Sequence, residues 1–153
     1  MKKLFILLSV TVVILGGCGT TKEDSKTENQ HDSNSSQGGI VAGEMKATLV
    51  EENPLQFIYS VKNDTEKVVN LEFSSSQRID YSVSTKDGKE IYLFSSTATF
   101  LTALGSEEIK QGESYVHKIN LNELSLDTGD YVLSVWMTPK EGEKFKTSIE
   151  FEL

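Results

Sequence analysis

The sequence predicts an all-β domain, an antiparallel β-sandwich, and three observations carry that expectation. From Glu44 onward apolar residues recur with a period of two. Leu55, Phe57, Tyr59 and Val61 form one such set, Tyr131, Leu133, Val135 and Met137 a second, and Phe145, Thr147, Ile149, Phe151 and Leu153 a third. A half-buried strand turns alternate side chains to opposite faces, so this is its pattern. The runs are rich in β-branched and aromatic residues, which suit a pleated surface. Turn formers separate them: Asn53-Pro54, Asn63-Asp64, Asp87-Gly88, Gln111-Gly112, Thr128-Gly129 and Glu141-Gly142. The Asp-Gly pair is the strongest hairpin signal among these.

Taken in order, strands are expected at 44–51, 55–63, 66–74, 79–86, 90–94, 115–121, 130–138 and 144–152. So many short strands with no strong helix candidate read as a sandwich. The stretch 95–110 is the exception, because Phe100-Leu101-Thr102-Ala103-Leu104 is too apolar for a plain solvated loop. It is a short strand, a helical turn or a loop packed across the sandwich.

The N-terminus carries an address rather than a fold. Lys2 and Lys3 precede Leu4 to Leu15, an uncharged and mostly apolar run of 12 residues. A membrane-spanning helix needs about 20 such residues, so the run fits a secretory signal instead. It ends in Leu15-Gly16-Gly17-Cys18, which looks like the lipobox of bacterial lipoproteins. Leu15, Gly16 and Gly17 would be read by the signal peptidase. Cys18, the chain's single cysteine, would take the lipid on its sulfur and become the new N-terminus. Several acyl chains on one residue anchor stably, at about 0.8 kcal/mol per buried CH₂. The expected organisation is a signal peptide at 1–17, a lipidated Cys18 with a disordered linker over 18–43, and a folded domain at 44–153. The linker is mostly Ser, Thr, Asn, Gln, Gly and mixed charges, too poor in apolar surface to offset its ordering entropy. As a coil it would span roughly 25–30 Å and lift the domain off a membrane. The expected location is the outer side of the cell membrane, held by lipid.

Composition excludes more than it assigns. Lys and Arg number 15 against 23 Asp and Glu, for a net charge of -8. Nucleic-acid binding needs a basic face to neutralise phosphates. One cysteine and two distant histidines leave no internal disulfide and no metal site, and Met45, Met137 and His117 lack the spacing of a soft-metal site. No phosphate-binding loop or dinucleotide fingerprint is present, so neither a cofactor nor a small-molecule substrate is expected. Asp127-Thr128-Gly129 spells the aspartic-protease triplet, but a turn before a strand needs those residues anyway. Ser74-Ser75-Ser76 and Ser95-Ser96 lack a nucleophile elbow. His117 reads as a strand histidine, and Trp136 and Tyr131 as packing aromatics. No catalytic residues are expected. A rigid scaffold that presents loops usually binds something.

The stretch from Val61 to Gly112 carries a family likeness. Lys62-Asn63 ends a strand before a polar turn and is followed by Phe73-Ser74-Ser75-Ser76-Gln77. Next come a tyrosine-bearing strand, Asp87-Gly88, a strand anchored by Tyr92, Phe100 with Ala103-Leu104, and Gln111-Gly112-Glu113. Gly129-Asp130-Tyr131 suits the C-terminal part. In order and spacing these residues resemble the BsuPI family, the intracellular proteinase inhibitors of Bacillus and its relatives. The resemblance implies an immunoglobulin-like sandwich and non-covalent inhibition of subtilisin-type serine proteases. With an export signal, the target would be an exported protease.

A loop-presenting inhibitor needs an extended segment that adds to the protease as a strand and is held from behind. Ser95 to Ser106 is the first candidate, with Phe100, Leu101 and Leu104 as apolar anchors. Ser74 to Arg78 is the second, where Gln77 and Arg78 are expected to be exposed. The alternative is a non-inhibitory immunoglobulin-like module that binds another envelope protein. It predicts that Phe94, Phe100, Leu101 and Leu104 all point inward.

Overall fold

The computed structural model describes residues 43–153. The expected signal peptide, Leu15, Gly16, Gly17, Cys18 and nearly all of the expected linker lie outside the described residues. Among the described residues nine strands and one helical turn follow in order: β1 (Met45–Asn53), β2 (Gln56–Asn63), β3 (Val69–Phe73), β4 (Ile79–Thr85), β5 (Glu90–Leu93), α1 (Phe94–Thr97), β6 (Gly105–Ile109), β7 (Ser114–Asn120), β8 (Asp130–Met137) and β9 (Thr147–Glu152).

The alternation read from the sequence is the alternation that buries. Phe57, Tyr59 and Val61 of β2 are enclosed, as are Tyr131, Leu133, Val135 and Met137 of β8. The strands form an antiparallel sheet of order β1-β2-β7, a second of order β5-β4-β8-β9 and a two-stranded ribbon β3-β6. The two larger sheets face each other over a shared core. Phe57 meets Phe151 edge to face with ring centres 5.3 Å apart. The Tyr59 hydroxyl donates to the Phe145 carbonyl at 2.6 Å. Leu71, Phe73 and Ile109 of the ribbon enter the same core.

Three strands on four in this order hold the places of the A, B and E strands and the C′, C, F and G strands of an immunoglobulin sandwich. One further contact marks that fold. Tyr131 is the second residue of β8 and donates its hydroxyl to the Asp127 carbonyl at 2.7 Å, the tyrosine corner of such domains. The fold is therefore an antiparallel sandwich, as the strand pattern predicts, and immunoglobulin-like, as the family resemblance implies.

Most expected strands agree with the structure to within a few residues, and the differences have local causes. β3 begins at Val69 rather than at 66, because the Asn63 side chain seizes the preceding turn. Its Oδ1 accepts from the Thr65 N–H at 2.9 Å. β9 begins at Thr147 rather than at 144, because Phe145 takes a φ of 50°, a left-handed conformation unfavourable to a bulky residue. Its burial and the Tyr59 hydrogen bond hold it there. Stretch 95–110 resolves into three parts: it takes in most of α1, then an extended segment, then β6.

Candidate functional site

The site is built where two connections meet at one end of the domain. The chain leaves α1 at Ala98 in extended conformation, with φ -94° and ψ 153°. From Ala98 to Leu104 it makes no turn or bend, and no residue has a positive φ. This is the middle of the expected candidate segment, Ser95 to Ser106, and it runs straight into β6.

Aromatic stacking fixes the start of the segment. Phe94 lies flat on Tyr81 at 4.8 Å, and Phe100 meets Phe94 edge to face at 5.6 Å. Burial and the neighbouring Tyr92 hydroxyl hold the Tyr81 phenol protonated well above its ordinary range. Two hydrogen bonds pin the middle. The Ser76 N–H donates to the Leu101 carbonyl at 2.9 Å, and the Leu101 N–H donates to Ser76 Oγ at 2.9 Å. The two candidate surfaces of the sequence thus belong to one assembly.

The side chains divide by direction. Phe100 is half-buried against Phe94 and serves the packing. Leu101 is 74% exposed and Leu104 88% exposed, more than any other large apolar side chain among the described residues. The four named hydrophobics neither all point inward nor all point outward: Phe94 and Phe100 pack, while Leu101 and Leu104 project.

Gln77 and Arg78 are not the exposed pair that their polarity suggests, and that expectation is corrected. Arg78 is drawn in by three partners. Its Nε donates to Glu107 Oε1 at 2.8 Å, its Nη1 to the Ser75 carbonyl at 2.8 Å, and its guanidinium lies over the Phe73 ring at 4.6 Å. Gln77 accepts at its carbonyl from Thr138 Oγ1 at 3.1 Å, and its side-chain Nε2 is enclosed without a partner among the described residues. The Arg78 contacts brace β6 against β3. Gly105 opens β6 in such close quarters that an added Cβ would lie 2.4 Å from Arg78 Nη2. Beside it, Glu72, Phe73, Leu104, Gly105, Ser106 and Lys140 line an open groove of about 340 Å³.

Glu107 lies outside both expected candidate segments, and Ser76 and Gly105, though inside them, are not among the residues expected to contact a partner. The signal for Gly105 was present, as a glycine directly after an apolar run and before a polar one. Ser76 carries no comparable signal inside its serine triplet.

This geometry can offer an extended backbone, two projecting leucines and a braced support. Among the described residues it offers no nucleophile paired with a base. His117 lies on β7 with its ring parallel to Tyr115 and centres 6.5 Å apart, away from these residues in the sheet.

No curated protein matches the chain. Among solved structures, a calcium-binding mutant of Bacteroides uniformis β-glucuronidase 2 aligns with 71% of this chain at 13% identity and a TM-score of 0.31, and the chain spans 13% of that protein's length. The family model described as BsuPI, intracellular proteinase inhibitor, matches residues 43–142, from the first described residue to the turn after β8. The chain belongs to the BsuPI family of proteinase inhibitors.

Proposed function

We propose that the chain is a lipid-anchored inhibitor of an exported subtilisin-type serine protease, binding non-covalently through Ala98–Leu104. One observation carries this reading. The segment is extended, pinned from behind by the two Ser76 bonds, and projects Leu101 and Leu104 into solvent. Strand addition in a protease cleft uses such a backbone, and rigidity before binding lowers the entropy lost on docking. Proteases of this class prefer large apolar side chains, which the two leucines supply. The sequence Leu15-Gly16-Gly17-Cys18 supports the anchor, with Cys18 carrying the lipid and the domain outside the cytoplasm. On this reading the chain is itself no enzyme.

The test is a titration of the full-length chain, purified in detergent, against subtilisin-type proteases while peptide hydrolysis is followed. Saturable inhibition with the chain intact is expected. No inhibition at tens of micromolar, or rapid digestion within 95–106, would leave the non-inhibitory binding module as the better account. For the anchor, growth with an alkyne fatty acid should label the chain and not Cys18→Ser. An unlabelled, freely soluble chain would contradict it.

A further inference from the structure

We propose that the bond a target protease addresses is Leu104–Gly105, with the Leu104 side chain filling the protease's primary specificity pocket. This rests on the inhibitor reading and goes further by choosing between the two projecting leucines.

The backbone makes the choice. A serine protease must turn the carbonyl oxygen of the addressed bond toward its own oxyanion donors. The Leu101 carbonyl is already committed, since it accepts from the Ser76 N–H at 2.9 Å, and the Leu101 N–H is held by Ser76 Oγ. Docking at Leu101 would break both bonds that make the segment rigid. Thr102, Ala103 and Leu104 are different. Among the described residues, no backbone N–H or C=O of these three makes a hydrogen bond, and all three are exposed. Strand addition requires such free groups. Leu104 is also the more exposed of the two leucines.

The far side of the bond explains why docking would inhibit rather than feed the protease. Gly105 pairs with Phe73 across the β3–β6 ladder. Arg78 presses against it, fixed in turn by Glu107, the Ser75 carbonyl and the Phe73 ring. If the protease's serine attacks the Leu104 carbonyl carbon, a C–O bond forms and the C–N bond to Gly105 breaks. The serine proton passes through the enzyme's base to the Gly105 nitrogen. That amine stays in β6 beside the ester instead of diffusing away. It reattacks, re-forms the amide, and returns the serine with its proton. Holding the two groups together gives the reverse step a high effective concentration, so the intact bond persists in the complex.

The test uses the full-length chain in detergent. Leu104→Lys should weaken inhibition of a subtilisin-type protease by about 100-fold and create saturable inhibition of trypsin, which prefers basic side chains. Leu101→Lys should gain nothing against trypsin. Long incubation of the unaltered chain with the protease, followed by intact-mass analysis, should show one slow nick, between residues 104 and 105. Because Leu104 is exposed, an unchanged melting curve will show that Leu104→Lys folds. If the unaltered chain inhibits but Leu104→Lys keeps its target and gains no trypsin inhibition, or the nick falls elsewhere, this assignment is overturned while the inhibitor reading stands. If the unaltered chain inhibits no protease, both fall together.

Discussion

Two connections in this domain treat their polar groups in opposite ways. At the corner after β2 every polar group of Asn63 is used inside the protein. Asn63 is fully buried, and its Nδ2 donates to the Lys67 and Ile109 carbonyls at 2.7 and 2.8 Å. Its Oδ1 accepts from the Thr65 N–H and hydroxyl, its own N–H donates to the Glu113 carbonyl, and its carbonyl accepts from the Gly112 N–H. The corner thereby ties β2, β6 and the β6–β7 turn together. The Ala98–Leu104 segment is pinned at Leu101, but among the described residues the backbone groups of Thr102 to Leu104 make no hydrogen bond, and Leu101 and Leu104 face water. A connection that serves the fold closes its hydrogen bonds. One that serves a partner leaves them open on a braced support.

That contrast can be broken or sharpened by substitution. The largest effect is expected at the corner. Asn63→Ala leaves several buried groups unpaired and should cost about 3 kcal/mol in chemical denaturation. A loss below about 1 kcal/mol would mean that the corner does not organise the fold. Next, Tyr131→Phe removes the hydroxyl bonded to the Asp127 carbonyl and should cost about 1 kcal/mol with the fold retained.

A pH effect is expected at His117. Burial lowers its pKa below the ordinary 6.5, so the folded state favours the neutral ring while the unfolded chain takes up a proton near that pH. Stability should therefore be complete above neutrality and fall as pH drops through about 6.5, levelling off below the folded pKa. His117→Gln should flatten that part of the profile. An unchanged slope would show that another group sets it. The smallest stability effect is expected at the segment itself. Leu101→Ser and Leu104→Ser should each change stability by less than about 0.5 kcal/mol while weakening protease inhibition. A large loss of stability would identify these leucines as packing residues.

The same contrast explains what could be read from sequence. The sheets were legible because a core between two sheets imposes a period of two, as in Phe57, Tyr59 and Val61. The family likeness was legible from the order of small motifs between Val61 and Gly112. Sequence alone leaves stretch 95–110 open between a strand, a helical turn and a packed loop, because its structure rests on contacts distant in sequence. α1 is a single turn held by Tyr81, and β6 buries only Ile109 among polar residues. Gln77 and Arg78 look like surface residues until Glu107 and Phe73, brought up by the β3–β6 ladder, give Arg78 its partners. Polarity alone does not reveal a satisfied guanidinium. Nor does an apolar run reveal which leucine has a free backbone.

The most direct test of the central claim is amide hydrogen exchange on the full-length chain, with and without a subtilisin-type protease. The account predicts fast exchange at Thr102, Ala103 and Leu104 in the free chain and slow exchange at the Asn63 backbone. On adding protease, protection should rise at the segment and stay unchanged at the corner. Protection that rises on a different surface, with the segment unaffected, would contradict the assignment of Ala98–Leu104 as the part of the molecule built for a partner.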